Sequence, residues 1–581
     1  MNLLSKRCWL IPTLAVLAAS SPALANWPPQ PSVNVPIATD PAALELRPQL
    51  CGDGAGGAII AWISSVPSEF RATVRAQRVD RTGDPLWAAT GVLLSDAPGY
   101  FLDHAIVSDG AGGAIVAWLA NPKYPDPTGN IIRLQRISAE GLPLWTSQGV
   151  EVAGSLSADW GAPLLASDGQ GGAFVGWIGF QPTFDDVFVQ RYDASGAAQW
   201  SVPVSVSESA VQRSEPVITS DGEGGAVIAW GQGFSLINIV AQRLDRNGQR
   251  LWGESGVALC DEEGYRQNPA VGNAGNGSAV VVWSDDSNVL YARKIDGAGS
   301  VQWAANGIPV GSPAGFAEDV VGDGAGGVFV CWYSDAGAVP EVFVQHLGAD
   351  GGRWAPEGTN VGGPSLGRVG PRMIADGVGG VITAWSESVL GSPQPPGSTY
   401  PSDCRAQRFD VSGQLLWGPN GALVSNAPGA QSLADMTSDG DEGAILAWVD
   451  TRNGNYDVYA QHVNRMGKLG PPARPADRGP ATIAIATPAS DDFVLEAPHP
   501  NPMRGSSQIR FNFAGQSQVT VAVLDVSGHR VRVLFEGMLG SGAHEVGFDG
   551  RDSRGRRLPA GVYLVSIHSG KIQQTKRVVM L

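Results

Sequence analysis

Along most of the chain, apolar and polar positions follow one recurring order. The run Ala114-Ile-Val-Ala-Trp118 carries no polar residue on either face, the pattern of a strand in a sheet covered on both sides. Downstream, Ile132-Arg-Leu-Gln-Arg-Ile137 alternates apolar and polar residues, so that strand has one less buried face. Asp109-Gly-Ala-Gly-Gly113 precedes the first run. It reads as a tight hairpin turn, since glycine supplies the positive φ such turns need. Before it, His104-Ala-Ile-Val107 reads as another strand. After the alternating segment, a turn such as Asp80-Arg-Thr-Gly83 leads to Leu86-Trp87 and a short last strand such as Gly91-Val-Leu-Leu94. The unit is therefore four strands, a to d, with variable loops between b and c.

The unit occurs eight times. The Trp that ends strand b falls at 62, 118, 177, 230, 283, 332, 385 and 448, a mean period of about 55 residues, with a degenerate fifth copy. Four strands of about five residues in that period make a propeller blade, and Gly-rich turns with regular aromatics (77 Gly and 18 Trp in 581 residues) agree with an all-β chain. Copy 8 lacks its own Leu-Trp and strand d, running from Ala460-Gln-His-Val463 into a proline-rich stretch, whereas Val33-Asn-Val-Pro-Ile-Ala-Thr-Asp40 looks like a spare strand d. The expectation is an eight-bladed β-propeller over residues 26–470, closed by its N-terminal strand, which removes open sheet edges. Val79-Asp-Arg-Thr-Gly-Asp-Pro-Leu-Trp87 and its copies ending at Trp200, Trp252, Trp303 and Trp417 resemble the tryptophan-docking repeats of quinoprotein-type eight-bladed propellers. The resemblance implies the fold. No residues match quinone ligands, so it carries no activity.

Residues 1–25 read as a signal peptide. Lys6 and Arg7 precede an apolar stretch from Cys8 to about Ala19, and Ala23-Leu24-Ala25 is a small-x-small cleavage site. Four cysteines then remain, Cys51, Cys260, Cys331 and Cys404. Each sits at a different repeat position, and Cys331 replaces a small core residue of strand b. It reads as a buried free thiol. Pairing of the other three stays open. No segment reaches transmembrane length.

The formal net charge is −16. Residues 498–581 hold 11 Lys+Arg against 5 Asp+Glu, a net of +6, and the rest nets −22. An acidic body of this kind disfavours nucleic acid. Residues 471–492 are Pro- and Ala-rich and read as a linker. Residues 493–581 return to short alternating strands with Gly turns, a small Ig-like β-sandwich. Pro500-Asn501-Pro502, Asp525-Val-Ser-Gly-His-Arg-Val531, Gly561-Val-Tyr563 and the basic pair Lys576-Arg577 make this region resemble the C-terminal sorting domain of type IX-secreted proteins and the FlgD-type Ig-like domain. The resemblance implies passage across an outer membrane, with secretion machinery as partner and the cell surface or medium as destination. Met503 departs from the aromatic that commonly follows the proline.

Candidate chemistry is sparse. The seven histidines form no metal-ligand spacing, and His346 and His462 stand where other copies have the strand-c Arg. The repeated Asp suits turn chemistry, one per copy, and Arg78, Arg136, Arg191, Arg243 and Arg408 are expected to pair with these Asp residues. Asp450, Asn453, Asn455 and Asp457 offer oxygen donors suited to calcium, the competing reading being an ordinary hairpin loop. From the strand-b Trp to the Gln of strand c, copies 7, 2 and 1 have the longest separations (22, 17 and 15). A glycan or protein ligand on the rim of copies 7, 8, 1 and 2 follows, since binding tends to reside on loops of a rigid scaffold. The function expected is an exported, non-enzymatic binding or scaffold protein. The alternatives are an extracellular enzyme acting on glycans or peptides with a site in the central channel or on one rim, marked by carboxylates converging in the channel, and a periplasmic assembly scaffold.

Overall fold

The computed structural model divides into two compact units, residues 1–473 and 474–581. It describes residues 27–471 apart from 70, 96–99, 122–129, 153–162, 180–184, 208–210, 261–263, 338, 363–365 and 389–400, and beyond them 494–495, 501, 503, 506–513, 517–524, 530–539, 542–552, 556–559, 561–569 and 572–580. The expected signal peptide and nearly all of the expected linker lie outside the described residues. Both units are all-β. Among the described residues the only helical element is the short turn Pro67–Glu69.

The first unit is a series of antiparallel sheets, one per sequence repeat. In copy 1 the order is Leu44–Gly52, Ala58–Val66, Arg71–Val79, Val92–Leu93. The apolar runs form the second strands and are sealed: every residue of Ala114–Asn121 is buried. Cys331 is one of these core residues, and among the described residues none of Cys51, Cys260, Cys331 and Cys404 is in a disulfide. Core clusters join successive sheets. One unites Ile59, Ala61 and Ile63 of copy 1 with Val116 and Trp118 of copy 2.

The turn signature folds as its composition dictates. Asp53 Oδ1 accepts the backbone N–H groups of Ala55 and Gly57, each at 2.8 Å. A Cβ at Gly57 would stand 2.2 Å from the Val79 carbonyl oxygen, so a side chain there would separate the turn from strand c. Asp53 Oδ2 meets Arg78 at 2.8 Å. The same pair recurs as Arg136–Asp109, Arg191–Asp168, Arg243–Asp221 and Arg408–Asp376. In copies 6 and 8 the histidine takes the Arg place: His346 and His462 reach Asp323 and Asp439 at 2.8 and 2.7 Å.

Each guanidinium also reaches the next sheet. Arg78 NH1 donates to the Ala139 carbonyl at 2.9 Å, and Trp87 Nε1 donates to the same oxygen at 3.1 Å. Arg136 and Trp145 share Ala194 in the same way, Arg243 and Trp252 share Gly297, and Arg408 and Trp417 share Arg465. In copy 1 the Gln beside the Arg binds the connection that carries the Trp: Gln77 donates to Ala88 O and accepts from Trp87 N.

The N-terminal segment supplies to copy 8 what its own sequence lacks. Val35–Ala38 pairs antiparallel with Asp457–Val463 and completes the sheet with Ala444–Asp450 and Gln431–Ser438. Trp27, 1% exposed, takes the docking position: its indole N–H donates to Arg81 O at 3.1 Å, and a Cβ at Gly83 would stand 2.8 Å from its ring. Gln461 donates to Pro28 O at 3.0 Å, as Gln77 does to Ala88. A core cluster unites Trp27, Val35 and Ile37 with Ile60 and Trp62 of copy 1 and Ile445 and Ala447 of copy 8.

The second unit holds a three-stranded sheet (Val494–Leu495, Ser507–Phe513, Gly542–Phe548) and a four-stranded sheet ordered Arg530–Leu539, Ser517–Leu524, Gly561–Ser569, Ile572–Met580. Ile509, Phe511, Val521, Phe548, Val565 and Val578 fill its core. Asn501 acts as a clasp on the last strand: its amide donates to Arg577 O and its carbonyl oxygen accepts from Val579 N, both at 2.7 Å. Pro500, Pro502 and residues 525–529 of the expected motifs lie outside the described residues.

Trp27→Ala removes both the ring and its hydrogen bond and is expected to lower the stability of the first unit by about 3 kcal/mol. Trp27→Phe, which keeps most of the packing, should cost about 1 kcal/mol. Thermal unfolding followed by tryptophan fluorescence measures both. An unchanged midpoint in Trp27→Ala would show that the docking contributes nothing.

Candidate binding site

Register identifies where the copies differ. The strand-b Trp stands opposite Phe188 in copy 3, Val240 in copy 4, Tyr291 in copy 5, Phe343 in copy 6 and Tyr459 in copy 8. An aromatic or aliphatic partner at this place covers the indole, as in the Trp332–Phe343 stack with ring centroids 5.3 Å apart. In copy 7 the partner of Trp385 is Arg405.

Around this exchange lies a cavity of about 190 Å³, lined by Gly362, Leu366, Arg368, Trp385, Glu387, Arg405 and Asn420. Glu387, 5% exposed, sits between two guanidinium groups. Arg405 Nε pairs with its Oε1, and Arg368 Nε lies 3.5 Å from its Oε2. The Trp385 indole N–H also points at Oε2, at 3.5 Å. Arg405 is held by a second donation, NH1 to Asn420 O at 3.2 Å. Burial, and then the neighbouring Glu387 charge, raise the Asp403 carboxyl above its ordinary range. Burying charges costs free energy even when they are paired, and copies 3, 4, 5, 6 and 8 build the same sheet without an Arg opposite the Trp. The arrangement provides a fixed donor fork beside a fixed acceptor in a concave, partly apolar setting, the makings of a small-ligand site.

A second polar group lies on the first strands of copies 6, 7, 8 and 1. Asp319 Oδ2 accepts Met373 N at 3.0 Å, Asp435 Oδ2 accepts Leu50 N at 2.8 Å, and Gln49 donates to His104 O at 2.8 Å. Arg372 donates from Nε to Ala434 O at 3.1 Å and pairs with Glu318 at 3.3 Å. Carboxylates do converge here, but Asp319 and Asp435 each hold a backbone N–H of the next sheet. Burial pushes the Asp435 carboxyl up to about 6, against the hydrogen bonds from Leu50 and Met436 and the Arg372 charge. Burial likewise pushes His104 down to about 4, its Nε2 facing Ala61 O at 3.2 Å.

The calcium candidates are brought together in copy 8. Asp450 is fully buried and paired with Arg452 at 2.6 Å, and it accepts the Trp448 indole N–H at 2.9 Å. Asn453 donates to Asp457 Oδ2 at 2.7 Å. Asn455 donates to the Asp40 and Ala43 carbonyls at 3.2 and 2.5 Å. Arg452 lies 4.0 Å from the Tyr459 ring centroid and donates to Asn34 at 2.6 Å. In this arrangement the loop fastens the N-terminal segment. Among the described residues, no three His, Cys, Asp or Glu side chains stand together as metal ligands. Most of the two longest rim loops, residues 389–400 and 122–129, lies outside the described residues.

Comparisons with known proteins describe the same two parts. Residues 503–571 match the FlgD Ig-like domain family. No curated protein matches the chain. Among solved structures, the chain is similar to PorZ, a bacterial surface component of the type-IX secretion system of Porphyromonas gingivalis, at 13% identity over 94% of this chain and 81% of that one, TM-score 0.24. It is also similar to the BP39L lectin of Burkholderia pseudomallei (13% identity, 64% and 99% covered, TM-score 0.40). A third similar structure is the subtype N11 neuraminidase-like protein of influenza A/flat-faced bat/Peru/033/2010 (12% identity, 67% and 96% covered, TM-score 0.35). The protein is thus of an all-β class: successive four-stranded sheets of propeller-blade type, followed by a FlgD Ig-like domain. Among the described residues no helix is long and apolar enough to cross a membrane.

The Asp435 shift has a definite sign. The folded carboxyl, at about 6 against an ordinary 3.8, binds its proton more tightly than the unfolded chain does. Unfolding free energy therefore falls as pH rises from about 4 to about 6. Asp435→Asn keeps an acceptor for Leu50 N and removes the titration. The variant is expected to match the wild type at pH 4 and exceed it by roughly 1–2 kcal/mol at pH 7. Denaturant titrations at both pH values decide this; equal slopes with pH would remove Asp435 as the cause.

Proposed function

We propose that the protein is an exported, non-enzymatic binding protein. In this reading the sheets of the first unit are the blades of an eight-bladed propeller closed by residues 27–38, and its ligand enters at copy 7, on the rim formed with copies 8, 1 and 2. The observation that carries the binding role is the Arg368–Glu387–Arg405 set. It is a charged group at a place where copies 3, 4, 5, 6 and 8 manage with aromatic or aliphatic partners, and it lines a cavity. Closure is supported by the way Trp27, Pro28 and Val35–Ala38 take up the docking, clasp and pairing positions missing from copy 8. Binding is favoured over catalysis by the commitment of Asp319 and Asp435 to backbone N–H groups.

The C-terminal domain acts in this reading as the address. The FlgD Ig-like match supports the fold of the module. Its +6 charge against an acidic body gives it a different electrostatic partner from the propeller, such as secretion machinery. The destination is the cell surface or the medium, reached after a signal peptide at residues 1–25 is removed.

Two experiments test the reading. A glycan array probed with the full chain and with Glu387→Ala should show a signal that the substitution abolishes, because two guanidinium groups are left without their carboxylate. A signal indifferent to Glu387 would move the site elsewhere. Separately, a chain ending at residue 492 should fold its first unit and accumulate in the periplasm of its native host. Surface delivery as efficient as that of the full chain would reduce the domain to a structural appendage.

A further inference from the structure

We propose that the b–c end of copies 7, 1 and 2 carries three repeat-encoded subsites for a neutral saccharide chain, each built from a Glu and the Arg that stands opposite a fully buried strand-b Trp. The proposal rests on the reading of copy 7 as a binding site and extends it to two further copies.

The Arg exchange is confined to three copies. Trp62 stands opposite Arg75, Trp118 opposite Arg133 and Trp385 opposite Arg405. All three guanidinium groups are anchored identically: NH1 donates to the carbonyl one residue before the Gly that opens strand d, Thr90 at 3.0 Å, Gln148 at 3.3 Å and Asn420 at 3.2 Å. A carboxylate stands beside each. Glu387 pairs with Arg405, and Glu151 pairs with Arg133 at 3.2 Å. Glu45 lies within the field of Arg75 and beside the Trp62 indole, and burial raises its carboxyl to about 7. Glu45 is 3% exposed. Its Oε1 accepts Ser64 Oγ at 3.1 Å. Glu387, Glu151 and Glu45 come from strands b, d and a respectively, so no single repeat position produced them.

These are also the copies with the longest b–c separations, 22, 15 and 17 residues. A guanidinium fork next to a carboxylate donates to and accepts from adjacent hydroxyls at once. In copy 2 the Arg133–Glu151 pair is neutral, and the net charge of −16 repels polyanions at long range. A set of such groups on copies 1 and 2 and, beyond copy 8, on copy 7 suits a ligand that itself repeats, where weak subsites add through effective concentration.

The repeats supply the substitutions for the test: Arg75→Tyr, Arg133→Phe and Arg405→Phe place at each site a residue that other copies carry there. Affinity electrophoresis of the full chain in gels containing dextran, mannan or galactan is expected to show retention by at least one of them. Each single change should weaken it about tenfold and the triple change abolish it, with the melting temperature little altered. Arg→Gln at the same positions serves where an aromatic variant fails to fold. Loss confined to Arg405→Phe overturns the three-subsite proposal and leaves the single site at copy 7. Retention unaffected by the triple change overturns both. Retention only by alginate or heparin, or none for the wild type in any gel, overturns the neutral saccharide.

Discussion

The first unit depends on one backbone carbonyl used eight times. In the c–d turn of each copy, a single oxygen receives the indole N–H of the preceding docking Trp: Arg81, Ala139, Ala194, Arg246, Gly297, Ala349, Val411 and Arg465 in turn. In most copies it also receives a cation from the preceding strand c. That cation is itself held by the Asp whose other oxygen closes the a–b hairpin. Turn geometry, strand pairing and sheet-to-sheet spacing are therefore tied through one Asp–Arg–carbonyl–Trp chain. Buried hydrogen bonds of this kind are costly to leave half-made, so the motif residues have to vary together. Copy 5 illustrates this: with Asn273 in the Asp place, Lys294 replaces the Arg, and its Nζ lies 3.5 Å from Ala349 O, the oxygen that Trp303 also reaches.

Much of this was legible in the sequence because each device leaves a fixed residue type. The Asp-Gly-x-Gly-Gly turn needs positive φ and a missing Cβ, the docking Trp needs a Gly to lie on, and the strand-c cation needs its Asp. The pairing of the strand-c Arg with the repeat Asp, and the substitution of His346 and His462 into that role, follow from alignment alone. Trp27 did not. It lies next to the expected cleavage site and outside any recognisable repeat, and only its position against Gly83 and Arg81 reveals it as a docking Trp. The spare strand beside it was visible because β-strands keep their alternation wherever they stand.

The candidate site was less legible for a physical reason. Arg405 occupies a polar position of an alternating strand, where any exposed residue would look ordinary. What sets it apart is the residue across the ladder, and register is a property of two segments that sequence spacing places only approximately. Glu387 was hidden in the same way, two residues past a Trp at the start of a long loop. Loop length alone pointed to copies 7, 2 and 1, whereas the cross-strand partner of the Trp says what chemistry those copies carry.

Repetition sharpens that distinction. In a single-copy fold, a buried Arg–Glu pair is weak evidence of function, because structural ion pairs are common. Here the other copies serve as internal controls. Five copies cover the same indole with Phe, Tyr or Val and form the same sheet, so the ladder does not require a guanidinium. The Asp–Arg pairs at the turns fail this comparison, since copy after copy keeps them, and they are accordingly structural. The Arg–Glu sets of copies 7, 1 and 2 pass it. A charge that the scaffold can do without, anchored the same way three times in the copies with the longest b–c separations, is the part of the molecule that its fold leaves unexplained and that a ligand would explain.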